Sequence, residues 1–116
     1  VIKGTLRALA ALAALGVLAG CSEDREPIVV AQNTVTVENQ SSSEWTGVEI
    51  WVNDHYRVIA PSVAARQRLV VPLSTFVAGY GQRFDRARAS VFGVEVTAKT
   101  SDGEAVRLIW GKGRRR

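Results

Sequence analysis

Alternation of apolar and polar side chains with a period of two runs through most of the chain beyond residue 30, and it predicts strands. Val35 and Val37 share one face while Thr34, Thr36 and Glu38 share the other. From Trp45 to Asn53, Val48, Ile50 and Val52 lie on one face, with Trp45, Gly47, Glu49, Trp51 and Asn53 opposite. The turn-rich Asn53-Asp54-His55 and the β-prone Tyr56-Arg57-Val58-Ile59-Ala60 predict a hairpin that Pro61 closes. Between Arg66 and Leu73, Leu69, Val71 and Leu73 point inward and Arg66, Arg68 and Val70 outward. Pro72 lacks a ladder donor, which assigns that end to a sheet edge or a strand terminus. Ser74 is placed to cap one short helical turn through Phe76, stopped by Gly79. Val94, Val96 and Ala98 then alternate with Glu95, Thr97 and Lys99, and Val106, Leu108 and Trp110 with Arg107 and Ile109. The Asp102-Gly103 turn between these two runs is a strong hairpin signal.

No long helical period follows the first twenty residues. Six or seven short strands with regular turns predict an all-β fold over residues 30–110: a small antiparallel β-sandwich, immunoglobulin-like or similar, or a small barrel. No internal repeat is present.

The start of the chain has a different texture. Lys3 and Arg7 precede a twelve-residue apolar run, Ala8 to Ala19, and small residues lead into Cys21. This is the layout of a cleaved helical signal peptide. At 1.5 Å per helical residue the run covers about 18 Å, short of the roughly 30 Å hydrocarbon core. Leu18-Ala19-Gly20-Cys21 resembles the lipobox of bacterial lipoproteins. That resemblance implies cleavage between Gly20 and Cys21, removal of residues 1–20, and acylation of Cys21 as the membrane anchor. Ser22, in place of Asp, implies delivery to the outer membrane, facing the periplasm. Two or three acyl chains make such attachment effectively permanent. The resemblance ends near residue 22. Residues 21–29 are charged and contain Pro27, so they read as a lipidated tether with a span of about 15–18 Å.

Charge narrows the partners. The chain has 15 basic and 11 acidic residues. Loss of Lys3 and Arg7 leaves a near-balanced body, which is no nucleic-acid footprint. Lys112, Arg114, Arg115 and Arg116 concentrate the excess in a basic tail, residues 111–116, which reads equally as an anionic-surface contact and as a solvated end. With Cys21 as the single cysteine and His55 as the single histidine, neither a disulfide nor a zinc site is predicted. No metal and no cofactor is expected.

Catalytic sets are poor. Ser62 or Ser90 can be combined on paper with His55 and with Asp54 or Asp85, but adjacent Asp54 and His55 point to opposite faces of an extended chain. Glu49 and Glu95 both face outward, and glycoside chemistry requires two carboxylates in one cleft. Gly79 and Gly81 lack the phosphate-loop context, and Asn39-Gln40-Ser41 reads as a turn rather than a used glycosylation sequon. No catalytic residue is assigned.

The aromatic and basic residues carry more. Trp110 is in phase with Val106 and Leu108 and is expected in the core. Trp51 is in phase with polar positions, so it is either a partner contact, with Tyr56 beside it across the hairpin, or a ring packed on a loop or second sheet. Arg83, Arg86 and Arg88 form a basic segment suited to an acidic partner. Trp51, Tyr56, Arg83, Arg86 and Arg88 together make the candidate binding surface. The expected function is a membrane-anchored envelope lipoprotein, acting as a non-enzymatic binding or structural module toward an envelope protein or polymer. The alternative is a small envelope hydrolase or an inhibitor of an envelope enzyme.

Overall fold

The computed structural model describes residues 25–112. The segment read as a signal peptide, the lipobox-like Leu18-Ala19-Gly20-Cys21, and Arg114 to Arg116 lie outside the described residues. Within them the chain forms two antiparallel sheets and one short 3-10 turn. In chain order the strands are β1 (Ile28–Val30), β2 (Thr34–Glu38), β3 (Trp45–Val52), β4 (Tyr56–Val63), β5 (Arg68–Pro72), β6 (Val77–Ala78), β7 (Gly93–Thr100) and β8 (Ala105–Gly111). One sheet has the order β1-β2-β5 and the other β6-β4-β3-β7-β8.

The alternating runs become strands because each can bury one face. Ile28, Val35, Val37 and Val71 from the first sheet join Val48, Ile50, Val52, Val94, Val96 and Ala98 from the second in one core. Val58, Val106, Leu108 and Trp110 pack around it half-buried. Phe76, which is fully buried, and Phe84 plug one end of this core, with the Tyr56 ring edge-on to Phe84 at a centroid distance of 5.2 Å. Burying a phenylalanine of this kind contributes about 2–3 kcal/mol.

Four expectations change. First, Trp45 is buried in the core rather than sharing the outer face with Trp51. Gly47, at φ 56°, makes a bulge against β7 in which the register shifts between Thr46 and Glu49. The extra residue advances the phase by one, so Trp45 and Val48 both face inward. Second, Pro61 does not end its strand: β4 continues to Val63. It is tolerated because β6 pairs with β4 at Tyr56 and Arg57 alone, leaving an open edge beside Pro61. Third, strand structure begins inside the segment 21–29 that the sequence reads as a tether, since Ile28 is buried and paired with Val37. At the other end β8 runs through Gly111 rather than stopping at 110. Fourth, the helical turn is a 3-10 turn over Leu73–Thr75 with no side-chain cap from Ser74, and β6 intervenes before Gly79.

Strand direction gives the molecule two distinct ends. Residues 25–27, the β2–β3 loop (39–44), the β4–β5 turn (64–67) and the β7–β8 turn (101–104) gather at one, here called proximal. The β1–β2 turn (31–33), the β3–β4 turn (53–55), the long connection 73–92 and Lys112 gather at the other, distal end.

Two buried asparagines fasten these ends. Asn39 donates through Nδ2 to the carbonyls of Ser43 at 2.8 Å and Val63 at 3.1 Å, while its Oδ1 accepts from the Ser41 N–H at 3.0 Å. The sequon-like segment is therefore a turn whose asparagine is buried. At the distal end Asn53, at φ 52°, donates to Ser90 O at 2.7 Å and accepts from the N–H groups of Phe92 and Gly93 at 2.8 and 3.2 Å. Each amide satisfies backbone groups that no strand reaches.

Candidate functional site

Four strands of the five-stranded sheet carry an outward-facing group centred on Trp51. Val52 and Tyr56 form the closing pair of the β3–β4 hairpin, which places Trp51 directly across from Arg57 on one side and Glu95 on the other. Glu95 in turn opposes Ile109 on β8. One register row therefore reads Arg57, Trp51, Glu95, Ile109, a cation, an indole, a carboxylate and an aliphatic side chain. The adjoining row reads Ile59, Glu49, Thr97, Arg107.

Local charge pairing organises both rows. The Arg57 guanidinium lies over the Trp51 ring, 5.2 Å from its centroid, and reaches the Glu49 carboxylate at 3.5 Å. Arg107 Nε donates to Glu95 Oε2, whose side chain has no exposed surface although it points away from the core. Neighbouring side chains bury that carboxylate: Trp51 and Ile109 flank it across the strands, and Arg107 offsets its charge. Trp51 is half-buried as a result. Its ring is the floor under a guanidinium rather than a bare stacking plate, so what the face presents to solvent is the Arg57 guanidinium laid over the indole and beside Glu49. Trp51, His55, Arg57, Ile59, Val77 and Gly79 line a groove of about 440 Å³ along this face.

Tyr56 does not accompany Trp51. Side chains alternate along β4, so Tyr56 turns inward onto Phe84 and its hairpin neighbour is Val52. Pairing Val52 with Tyr56 is the signal that would have picked out Arg57, because it fixes Trp51 opposite Arg57 by register alone. The basic segment also divides. Arg88 is held by Asp85 at 3.6 Å, whereas Arg83 and Arg86 have no ion pair among the described residues. Those two line a separate cleft of about 620 Å³ at the distal end, with Asn33, Thr34, Pro72 and Ser74.

The catalytic combinations fare differently. His55 is exposed at the tip of the β3–β4 turn, where its N–H donates to Val52 O at 3.2 Å, and no serine hydroxyl bonds to its ring among the described residues. Ser62 sits at the proximal end of β4 opposite Thr46, a strand length away. Glu49 and Glu95 are brought together as diagonal neighbours on adjacent strands, a relation of about 7–8 Å between backbones. Each, however, is engaged by an arginine. No group of histidine, cysteine and acidic side chains suited to a metal ion is present among the described residues.

Comparison with protein-family models, with curated proteins and with solved structures found no match in any of the three.

Proposed function

We propose that this protein is a lipid-anchored envelope lipoprotein whose globular part is a non-enzymatic binding module, attached through Cys21 and using the Arg57-on-Trp51 face to hold an envelope protein or polymer. The observation that carries the binding half is this oriented guanidinium. Glu49 and Trp51 contact Arg57 from two sides, which reduces the side-chain freedom it has to lose when a partner docks. The anchoring half rests on the Leu18-Ala19-Gly20-Cys21 sequence, followed by a short tether before β1. On the fold, an immunoglobulin-like sandwich is the finer reading. It is supported by β1-β2-β5 in one sheet and β8-β7-β3-β4 in the other, the order of a sandwich with an added edge strand.

One observation favours the hydrolase alternative: the shared face of Glu49 and Glu95. Against it, both carboxylates are already engaged by guanidinium groups, Glu49 by Arg57 at 3.5 Å and Glu95 by Arg107.

The test is membrane fractionation with metabolic fatty-acid labelling of the wild-type protein and a Cys21→Ser variant. Label and membrane association should both be present in the first and absent in the second. Mass spectrometry that finds residues 1–20 retained, or the Cys21 thiol unmodified, would overturn the anchoring proposal.

A further inference from the structure

The two ends of the domain differ in charge. Among the described residues the proximal end carries Arg25, Arg66, Arg68 and Lys99 against Glu26, Glu38, Glu44, Asp102 and Glu104. The distal end carries Arg83, Arg86, Arg88 and Lys112 against Asp54 and Asp85. The proximal arginines are also largely engaged: Arg25 and Arg68 reach Glu38 at 3.8 and 3.5 Å, and Arg66 donates to the Gln40 carbonyl. Unbalanced positive charge is thus concentrated at one end.

That end also has a shape. The β1–β2 turn is tied to the long connection by Leu73 N–H donating to Asn33 O at 2.8 Å. Phe84 is fixed behind it by its N–H to Phe76 O at 2.9 Å. Between them opens the 620 Å³ cleft. Its floor is Leu73 and Phe84, one rim offers the Pro72 ring, and the Asn33 amide and the Thr34 and Ser74 hydroxyls are spaced along it. Arg83 and Arg86 line it as its cations. Asp85 is there too, but one carboxylate oxygen accepts from the Ala87 N–H at 3.0 Å and the other meets Arg88 at 3.6 Å.

We propose that this distal cleft binds an acidic glycan, a polymer carrying carboxylate or phosphate groups along a sugar chain. Arg83 and Arg86 take the anionic groups, the amide and hydroxyls take sugar hydroxyls, and the Pro72 ring packs on the C–H face of a sugar ring. Guanidinium forks match carboxylate and phosphate oxygens in two-point contacts. A single inorganic anion would leave most of the cleft unfilled. Attachment at the opposite end disfavours the anchoring membrane as the occupant, and this point rests on the lipid-anchor reading. The tether enters at the proximal end, and eight-residue strands at about 3.3 Å per residue put the cleft about 26 Å farther out, beyond a Debye length of about 8 Å.

The test measures binding of the full chain in non-ionic detergent at 0.15 M salt by titration calorimetry. The ligands are oligogalacturonate as the carboxylate glycan, a phosphorylated dextran as the phosphate glycan, neutral dextran, single-stranded DNA, and phosphatidylglycerol vesicles. At least one acidic glycan should bind, neutral dextran should not, and Arg83→Ala and Arg86→Ala should each weaken binding about tenfold. Arg68→Ala with Lys99→Ala removes the same charge from the proximal end and should leave binding within about twofold, which separates the cleft from net charge. The cleft assignment is overturned by unchanged binding in the Arg83→Ala/Arg86→Ala variant with a wild-type circular dichroism spectrum. It is equally overturned by tighter binding to DNA or vesicles than to either glycan, or by loss of binding on deleting residues 114–116 alone. Glycan binding that persists when Cys21 proves unlipidated leaves the cleft standing and removes the anchor instead.

Discussion

Replacing Arg107 with alanine isolates the least expected interaction in the molecule, a carboxylate buried on the solvent side of a sheet. Glu95 has 0% of its side chain exposed and Arg107 has 45%. Breaking a fully buried pair costs about 3–5 kcal/mol, whereas an exposed pair is worth about 0–1 kcal/mol. The charge left behind here is the buried one, which favours the upper range, while the half-exposed site vacated by Arg107 lets water approach. A loss of about 2–3 kcal/mol follows. With a urea m-value of about 1 kcal/mol/M for a domain of this size, the midpoint should fall by about 2–3 M, read from tryptophan fluorescence. The second arm is Arg107→Ala combined with Glu95→Gln. Removing the carboxylate charge should restore about half of the lost stability, because the deficit lies in a charge deprived of its guanidinium rather than in missing arginine contacts. A midpoint within about 0.5 M of wild type for Arg107→Ala, or a double variant no more stable than the single, would refute this account of the pair.

Other substitutions test the frame that holds these surfaces. Asn53→Ala removes the bonds to Ser90 O and from Phe92 and Gly93 N–H at a position of positive φ, and should cost about 2–4 kcal/mol by urea titration. Exchange of the Phe92 and Gly93 amide protons should accelerate in parallel. Gly111→Ala should lower the thermal midpoint by at least about 8 °C, because φ is 66° and a Cβ would stand 2.4 Å from Phe92 O. Gly79→Ala, where nothing lies within 4 Å of a Cβ, should shift the midpoint by no more than about 4 °C.

The strands were legible where apolar positions alternate strictly, as in Val35/Val37 and Val94/Val96/Ala98, because one buried face is enough to fix the period. Trp45 departs from the expected phase because a bulge shifts it by one residue, and Gly47 by itself does not announce whether it will bend the strand. Pro61 misled because its effect depends on whether its strand edge has a partner, which is a property of the sheet. For the candidate site, Trp51 and the arginine segment could be named from phase and composition. Arg57 follows from the hairpin once Val52 and Tyr56 are taken as its closing pair, but Glu95 does not, since its role arises from register with a strand distant in sequence. The separation of Arg83 and Arg86 from Arg88 depends on the Asp85 turn, where one carboxylate engages only one of three nearby guanidinium groups.

Arg107 has a second consequence through its position on β8, the last strand of the larger sheet. That rim is seven residues long and contains no proline, so its outer backbone groups offer a template on which another chain can lengthen the sheet. Stacking of two such rims would have to desolvate the half-exposed Arg107 guanidinium partway along the strand, which makes it unfavourable. Solubility at high concentration therefore depends on the same side chain that balances Glu95, and light scattering of the alanine variant should rise with protein concentration well below its unfolding midpoint.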